Sequence, residues 1–223
     1  MSGYLGIAVA DTWYLRALHL MGASRTGLVA SLLSPFVILL SVLFLGESLR
    51  GWQLVGFALV MAGILLVTWR SRRRAVDAEH VRRGVMYGVG AMFLMAVGIV
   101  MVKEILETRS FLWTTEIRLA GGISGMLAYA LLRGRLAELR RHYAQPLPWG
   151  TITLASFLAA YVSMMMWLAG YKLIPASEAS ILNESANAWI VLLAWLMLGE
   201  SIGARKLIGL SLASAGVAVM LLV

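Results

Sequence analysis

The stretches LFLGESLRGWQLVG (residues 43–56) and LMLGESIGARKLIG (residues 196–209) share the tetrapeptide LGES, and each continues an apolar run. Sliding the chain over itself by 153 residues aligns positions 23–63 with positions 176–216 without a gap, giving 14 identities in 41 positions. Leucine matches mean little in so apolar a chain. The informative matches are Ser24/Ser177, Gly46/Gly199, Glu47/Glu200, Ser48/Ser201, Gly56/Gly209 and Gly63/Gly216. These matches indicate two copies of one structural unit.

The composition places both copies in a lipid bilayer. Of the 223 residues, 61% are hydrophobic and 13% are charged, and a chain of this length cannot bury so much apolar surface in one water-soluble core. A helix of about 20 apolar residues spans the hydrocarbon layer. Eight stretches meet that description: 4–20, 24–45, 52–70, 84–102, 112–132, 150–171, 177–198 and 204–222. We therefore predict an all-α membrane protein with eight transmembrane helices, because the short alternating segments of a barrel are absent from the sequence.

The position of the two LGES turns predicts an inverted repeat. Five predicted crossings separate the turns, and an odd number places them on opposite sides of the bilayer. Many secondary transporters have this architecture. The sequence divides into an incomplete first repeat of three helices (residues 1–70), a basic linker (71–83) and a second repeat of five helices (84–223).

The first repeat is two helices shorter than the second. We expect a 3+5 arrangement derived from a 5+5 bundle, either because the true start lies upstream of Met1 or because this is a natural eight-helix variant. Of these two explanations, we favour a true start upstream of Met1.

The distribution of basic residues predicts the orientation. Thirteen Lys and Arg residues fall on one predicted face and four on the other, so the positive-inside rule makes the first face cytoplasmic and places both termini outside. The net charge of +8 lies in loops and thus does not indicate a nucleic-acid partner. The linker could also bind anionic lipid headgroups. We expect a multi-pass protein of the cell membrane, with the bacterial inner membrane as the predicted location.

The LGES turns are predicted to be structural. Gly46 and Gly199 suit a left-handed C-terminal helix cap, and the following Glu47 and Glu200 could cap the helix that comes next. The glycine pairs seven residues apart in the helices after these turns indicate close helix packing, and a homodimer interface is one alternative for that face.

Polar residues are concentrated in the seventh predicted span. The stretch SEASILNESANAW (177–189) places Ser177, Ser180, Asn183, Glu184 and Asn187 along one helix face. The repeat-related face of the second span has Ser31 and Ser34. Two such faces meeting at the repeat interface would enclose a polar cavity. Glu184 would contact a substrate amine or transfer a proton, unless it is a hydrogen-bond anchor for Asn183 or Asn187; a carboxylate in lipid costs roughly 2.5–3.5 kcal/mol.

Other spans contribute further candidates. Asp11, near the middle of the first span, is the second candidate for a functional acid, and Arg118 in the fifth span either lines the cavity or extends to the interface. Tyr161 and Trp167 are candidate lining residues in the sixth span, whereas Tyr171 is assigned to an interfacial aromatic belt.

The sequence does not indicate an enzyme. The chain has no cysteine, which excludes disulfides, thiolate metal sites and thiol nucleophiles. The string GISG (122–125) matches an intramembrane serine protease motif, but the later spans contain no histidine base. There is no P-loop, no HExxH and no metal-spaced carboxylate pair, so we expect neither a metal nor another cofactor.

The segment ADTWYLRALHLMGASRTGLVASLLSPFVILLSVLFLGESLRGWQLVGFALVMAGILLV (10–67) resembles the last three helices of an EamA domain. Its features are an Ala-Leu before a loop, a mid-helix Pro, a Leu-Gly-Glu turn and a last helix rich in small residues. Residues 84–222 resemble a complete second EamA domain, with Lys103 ending its first helix and Arg118 in its second. The order and duplication of these features are typical of the drug/metabolite transporter superfamily.

This resemblance implies a ten-helix, two-repeat transporter of small metabolites whose central cavity is lined by the first, third and fourth helices of each repeat. Two departures are evident: the first two helices are absent, and Asn187-Ala188 replaces a common Glu-Pro. Family members commonly keep both termini in the cytoplasm, the reverse of the orientation that the charges predict.

The leading hypothesis is a secondary active transporter that moves a small metabolite or drug by alternating access, with proton coupling through Glu184 or Asp11. Under this hypothesis, the transport includes efflux of the substrate from the cell. The alternative is a truncated or accessory membrane protein that does not transport and packs with another EamA chain. The predicted partners are the lipid bilayer and a small-molecule substrate.

Overall fold

The computed structural model describes residues 1–68, 78–134, 136, 141, 143, 148–198 and 204–222, and these are almost entirely helical, without a strand among them. The α-helices of this part are α1 (Ala10–Met21), α2 (Ala23–Ala30), α3 (Leu33–Leu40), α4 (Gly51–Thr68), α5 (Ala78–Thr108), α6 (Phe111–Leu132), α7 (Trp149–Ser156), α8 (Ser163–Leu173), α9 (Ala176–Leu198) and α10 (Ala204–Leu222). Three π-helical segments extend or join them: Tyr4–Val9, Ser41–Leu45 and Phe157–Val162.

Within the described residues, helical structure covers the eight predicted spans, apart from a turn at residues 31–32 of the second. Two helices, Glu79–Thr108 and Trp149–Leu173, are long and apolar enough to cross a membrane within the described residues. The apolar helices Leu33–Leu45, Gly51–Gly63 and Leu207–Val219 are shorter. The count of eight crossings therefore stays a prediction.

The second predicted span is interrupted by its proline. Pro35 lies in the first turn of α3, where its missing N–H costs little, but its ring would clash with the carbonyl of Ser31 one turn earlier in a continuous helix. The chain accordingly forms a turn at residues 31–32, between α2 and α3. This turn separates Ser31 from Ser34, two of the predicted cavity residues.

The first helix of the second unit is longer than the sequence predicts. α5 begins at Ala78, six residues inside the predicted linker, and Glu79 forms an ion pair with Arg83 one turn later (2.6 Å). Residues 69–77 of the linker lie outside the described residues.

α5 is the central helix of the described bundle. The main hydrophobic cluster combines seven buried residues of α5, including Ile99 and Leu106, with residues of α3, α8 and α9. α1 and the π-helical segment before it pack along α5 at glycine positions. A Cβ on Gly98 would lie 3.1 Å from the Cα of Gly6 in the π-helical segment, and one on Gly90 would lie 2.6 Å from the Trp13 ring of α1. Such close backbone contact replaces the hydrophobic driving force that is absent between helices in lipid.

α4 and α10 pack against each other through reciprocal glycine contacts. A Cβ on Gly63 would lie 2.5 Å from the carbonyl oxygen of Gly209, and a Cβ on Gly216 would lie 2.6 Å from that of Gly56. The two contacts exchange under the 153-residue offset of the sequence repeat. The end of α4 thus faces the start of α10, so the two helices are antiparallel.

Candidate functional site

A carboxylate and two serines meet where α3 contacts α9. The Ser34 hydroxyl lies 2.8 Å from a carboxylate oxygen of Glu184 and 2.9 Å from the backbone carbonyl of Ser180. All three residues are buried, with Ser34 completely inaccessible. We call Ser34, Ser180 and Glu184 the serine–glutamate cluster. It joins one side chain from the first unit to two residues of the second, as the meeting of the two polar faces predicts.

Arg118 places a buried guanidinium among α6, α5 and α8. Its Nη1 donates to the carbonyl of Gly98 (3.2 Å), its Cζ lies 5.4 Å from the centre of the Trp167 ring, and only 3% of the residue is exposed. Gly6 lies beside it, since a Cβ there would be 3.2 Å from Nη2. The Nε atom has no hydrogen-bond partner within the described part of the chain. Arg118 is therefore buried within the helix bundle and does not extend to the interface.

Asp11 lies on α1, partly buried, in the electrostatic field of Arg118. The two side chains nevertheless form no ion pair within 4.0 Å, and no described residue donates a hydrogen bond to the Asp11 carboxylate. A negative and a positive group thus share one region without touching each other.

Two aromatic residues of α8 connect these groups. The rings of Trp167 and Tyr171, one helical turn apart, make an edge contact at 4.8 Å between centroids. Tyr171 is 1% exposed, and its hydroxyl, which has no hydrogen-bond partner among the described residues, lies in the electrostatic fields of Glu184 and Arg118. The assignment of Tyr171 to an interfacial belt is therefore wrong, because the residue packs in the core.

The connection between α8 and α9 is held from both sides by charged groups. Lys103 Nζ donates to the carbonyls of Tyr171 and Ile174, each at 2.9 Å, at the end of α8. The Glu47 carboxylate accepts from the N–H of Ala176 (2.6 Å) and from the N–H and hydroxyl of Ser177 (2.9 and 2.6 Å) at the start of α9. A cation at a helix C-terminus and an anion at an N-terminus both complement the helix dipole.

The outcome for Glu47 differs from the sequence prediction in one respect. Gly46 does take the left-handed conformation (φ 66°, ψ 18°) that ends the helical segment before it. Glu47, however, caps α9 in the other unit and not α4, the helix that follows it, because the α9 N-terminus is the one packed against this turn. Gly199 and Glu200 lie outside the described residues.

The structure does not join every predicted residue to these groups. The hydroxyl of Tyr161 donates to Glu116 (2.7 Å) on an exposed face, apart from Arg118 and Glu184. Ser31 is buried, but it donates to the carbonyl of Gly27, one turn earlier in α2 (3.3 Å). Asn183 is half-buried on α9 without a hydrogen bond to a described residue. The backbone of Asn187 is helical, and its side chain lies outside the description.

Sequence reasoning missed several polar contacts between distant segments. Lys103 ends an apolar span in the sequence, yet it is only 6% exposed. Gln53 Nε2 donates to Glu178 at 2.5 Å, which joins the start of α4 to the first turn of α9. The only sequence signal for either contact is a polar residue at the end of an apolar run.

Comparison with known proteins decides the family. The model of the EamA-like transporter family matches residues 1–69 and 82–222. The chain belongs to this family. A solved crystal structure similar to this EamA-like protein has a TM-score of 0.79 at 20% sequence identity, and the match covers 99% of this chain and 75% of the other. At that identity the likeness shows a shared fold only. No curated protein matches this EamA-like chain.

Membership of this family identifies the chain as a membrane protein of the drug/metabolite transporter superfamily, whose members are transporters and not enzymes. In such a protein, buried acids and bases can bind a polar solute or exchange protons. The described residues offer both kinds of group in the interior.

Proposed function

We propose that this protein is a secondary active transporter of the cytoplasmic membrane, a multi-pass protein of the bacterial inner membrane that moves a small polar metabolite by alternating access. The serine–glutamate cluster is the observation that supports this proposal. It places an acid in the interior of an EamA-like bundle, between segments that are 150 residues apart in sequence.

Alternating access requires two units that move relative to each other around a fixed site. α3 belongs to the first predicted repeat and α9 to the second, so relative movement of the repeats would change the Ser34–Glu184 contact. Protonation of Glu184 would turn this carboxylate from an acceptor into a group that also donates, and it would remove a buried charge. A proton can thus favour one arrangement of the two repeats over the other.

The experiment uses Glu184→Gln in proteoliposomes, which keeps the shape and the acceptor oxygen of the side chain but removes the proton site. We expect gradient-driven flux to be lost while exchange of labelled for unlabelled substrate continues, because only coupled transport needs the proton. Glu104→Gln, at an exposed position of α5, is the matched control and should transport like the unaltered protein.

A Glu184→Gln variant whose flux still follows a pH gradient would refute the coupling role. Screening inverted vesicles against a metabolite panel, with accumulation as the readout, identifies substrates and tests the efflux direction. Absence of solute movement by the unaltered protein in both preparations would refute transport itself.

A further inference from the structure

Two arginines and two tyrosines meet at one end of the bundle, away from the serine–glutamate cluster. Arg16 Nη2 donates to the hydroxyl of Tyr129 (2.6 Å), and Arg16 Cζ lies 5.6 Å from the centre of the Tyr87 ring. Arg133 Cζ lies 5.6 Å from the centre of the Tyr129 ring. Both ring contacts are close enough for a cation–π interaction. We call these four residues the arginine–tyrosine cluster.

The cluster lies where α1 and α6 end and the apolar part of α5 begins. Arg16 is near the end of α1, and Arg133 directly follows the last residue of α6. A Cβ on Gly84, at the start of that part of α5, would lie 3.1 Å from the side chain of Met21, the last residue of α1. The sequence predicts that these three helix ends share the cytoplasmic face. Aromatic rings and arginines are both common at this level of a membrane, where the lipid headgroups begin.

The two arginine charges of the cluster are not balanced by a carboxylate of the protein. Within the described residues, neither arginine forms an ion pair within 4.0 Å. Arg16 uses one N–H donor, on Tyr129, and no described hydrogen bond uses a donor of Arg133 or the O–H of Tyr129. Two cations against one tyrosine repel each other. An anion that accepts from both would remove this repulsion.

The surroundings of the cluster favour an amphiphilic anion over a soluble one. Each of the three helices exposes an apolar residue directly beside a cluster residue: Leu15 on α1, Met86 on α5 and Leu132 on α6. In a membrane protein such side chains contact acyl chains. The planar donors of arginine match phosphate oxygens in pairs, and basic pockets between helices on the cytoplasmic side suit anionic headgroups.

We infer that the arginine–tyrosine cluster binds the phosphate of one anionic phospholipid. Arg16, Arg133 and the O–H of Tyr129 donate to the phosphate oxygens, and the ring of Tyr87 holds Arg16 in position. The acyl chains lie along the exposed apolar residues of α1 and α6. The lipid thus connects α1 of the first unit to α6 of the second. This site is independent of the transport proposal, because it requires no movement of solute.

The test measures the unfolding temperature of the detergent-solubilised full chain with added phosphatidylglycerol or phosphatidylcholine of the same acyl chains. A ligand that binds the folded state raises this temperature with its concentration. We expect phosphatidylglycerol to act at lower concentration than phosphatidylcholine, whose headgroup carries no net charge. Equal stabilisation by the two lipids would overturn the inference. This comparison needs no substitution, so a misfolded variant cannot obscure it.

Three variants separate the cluster from the basic linker, which also attracts anionic lipids. Arg133→Gln removes an exposed side chain that has only a ring contact, so the fold should be unchanged. It should need at least about tenfold more phosphatidylglycerol for the same stabilisation, since it lacks a charged hydrogen-bonded contact, and Arg16→Gln should behave alike. Arg50→Gln is the matched control, because Arg50 is also exposed and lies 5.0 Å from the Trp52 ring, without a second arginine there.

A phosphatidylglycerol response of Arg133→Gln and Arg16→Gln equal to that of Arg50→Gln would overturn the inference. Inorganic phosphate and glycerol 3-phosphate distinguish a lipid from a soluble phosphate. Neither should stabilise the unaltered protein at the concentrations where phosphatidylglycerol does, since they have no acyl chains. Stabilisation by either one at those concentrations would contradict a lipid site and indicate a site for soluble phosphate.

Discussion

At the scale of single residues, the described part of this chain buries three charged side chains, Lys103, Arg118 and Glu184, and each is stabilised differently. Lys103 is satisfied by backbone carbonyls, and Glu184 accepts from Ser34. Arg118 is the least satisfied, with one hydrogen bond and one ring contact. A buried charge without enough partners costs free energy. Lys103 therefore has a structural role, whereas Arg118 retains an unpartnered Nε among the described residues.

Glu47 provides a test of structural capping at this scale. Glu47→Ala removes three hydrogen bonds to the first turn of α9, and loss of a helix N-cap costs about 0.5–2 kcal/mol. We expect a lower unfolding temperature in detergent. Ser48→Ala, at the adjacent exposed position, should leave it unchanged. Equal unfolding temperatures for both variants would show that the cap contributes nothing to stability.

At the scale of helices, pairs of small residues determine which elements approach each other. The contact of the π-helical segment before α1 with α5, and that of α4 with α10, are made at glycines, where backbones approach closely. The glycines seven residues apart predicted a close-packing face on each of α4 and α10, because that spacing returns to the same helix face. The sequence did not predict that the two faces form a seam between these helices within one chain, since a homodimer would use the same face.

Substitution in this seam should be costly. The Cβ of Gly63→Ala would lie 2.5 Å from a backbone oxygen of α10, so the helices must separate, and overpacking of this kind costs about 1–3 kcal/mol. Gly216→Ala should destabilise the protein to a similar extent. Gly27→Ala is the control, since nothing lies within 4 Å of its added methyl group and alanine favours helix formation. An unfolding temperature that is equally unaffected in all three variants would exclude a structural role for the seam.

At the scale of the whole molecule, the reciprocal α4–α10 contacts and the 153-residue offset suggest two units related by a two-fold axis in the membrane plane. Such an axis inverts one unit relative to the other. The sequence predicts the same inversion, because an odd number of predicted membrane crossings separates the two LGES turns. Residues 199–203, which include the last three residues of the second LGES, lie outside the described residues.

Labelling of introduced cysteines tests the topology. Because the chain has no cysteine of its own, a single introduced cysteine is the only thiol that can react. Single cysteines at Ser48 and Ser201 should react with an impermeant maleimide from opposite sides of the membrane. The distribution of Lys and Arg predicts labelling of Ser48→Cys in intact cells and of Ser201→Cys only in inverted vesicles. Labelling of both positions from the same side would rule out the inverted repeat.

The sequence by itself determined where the helices lie, which faces contain small residues and which segments contain the polar groups. It could do so because a chain in lipid must satisfy its backbone hydrogen bonds within helices, so length and hydropathy suffice to locate them. It also predicted that the polar faces of the second and seventh spans, to which Ser34 and Glu184 belong, would meet at the repeat interface.

Only the tertiary structure decided the partners of the remaining polar groups. Periodicity assigns a residue to a helix face, but the rotation and depth of each helix are fixed by packing against segments distant in sequence. Tyr171 therefore lies in the core and not at the interface, Glu47 caps a helix of the other unit, and Tyr161 points to an exposed face. The approach of Asp11 to Arg118 without an ion pair has the same origin, since these residues belong to helices that do not follow one another in the chain.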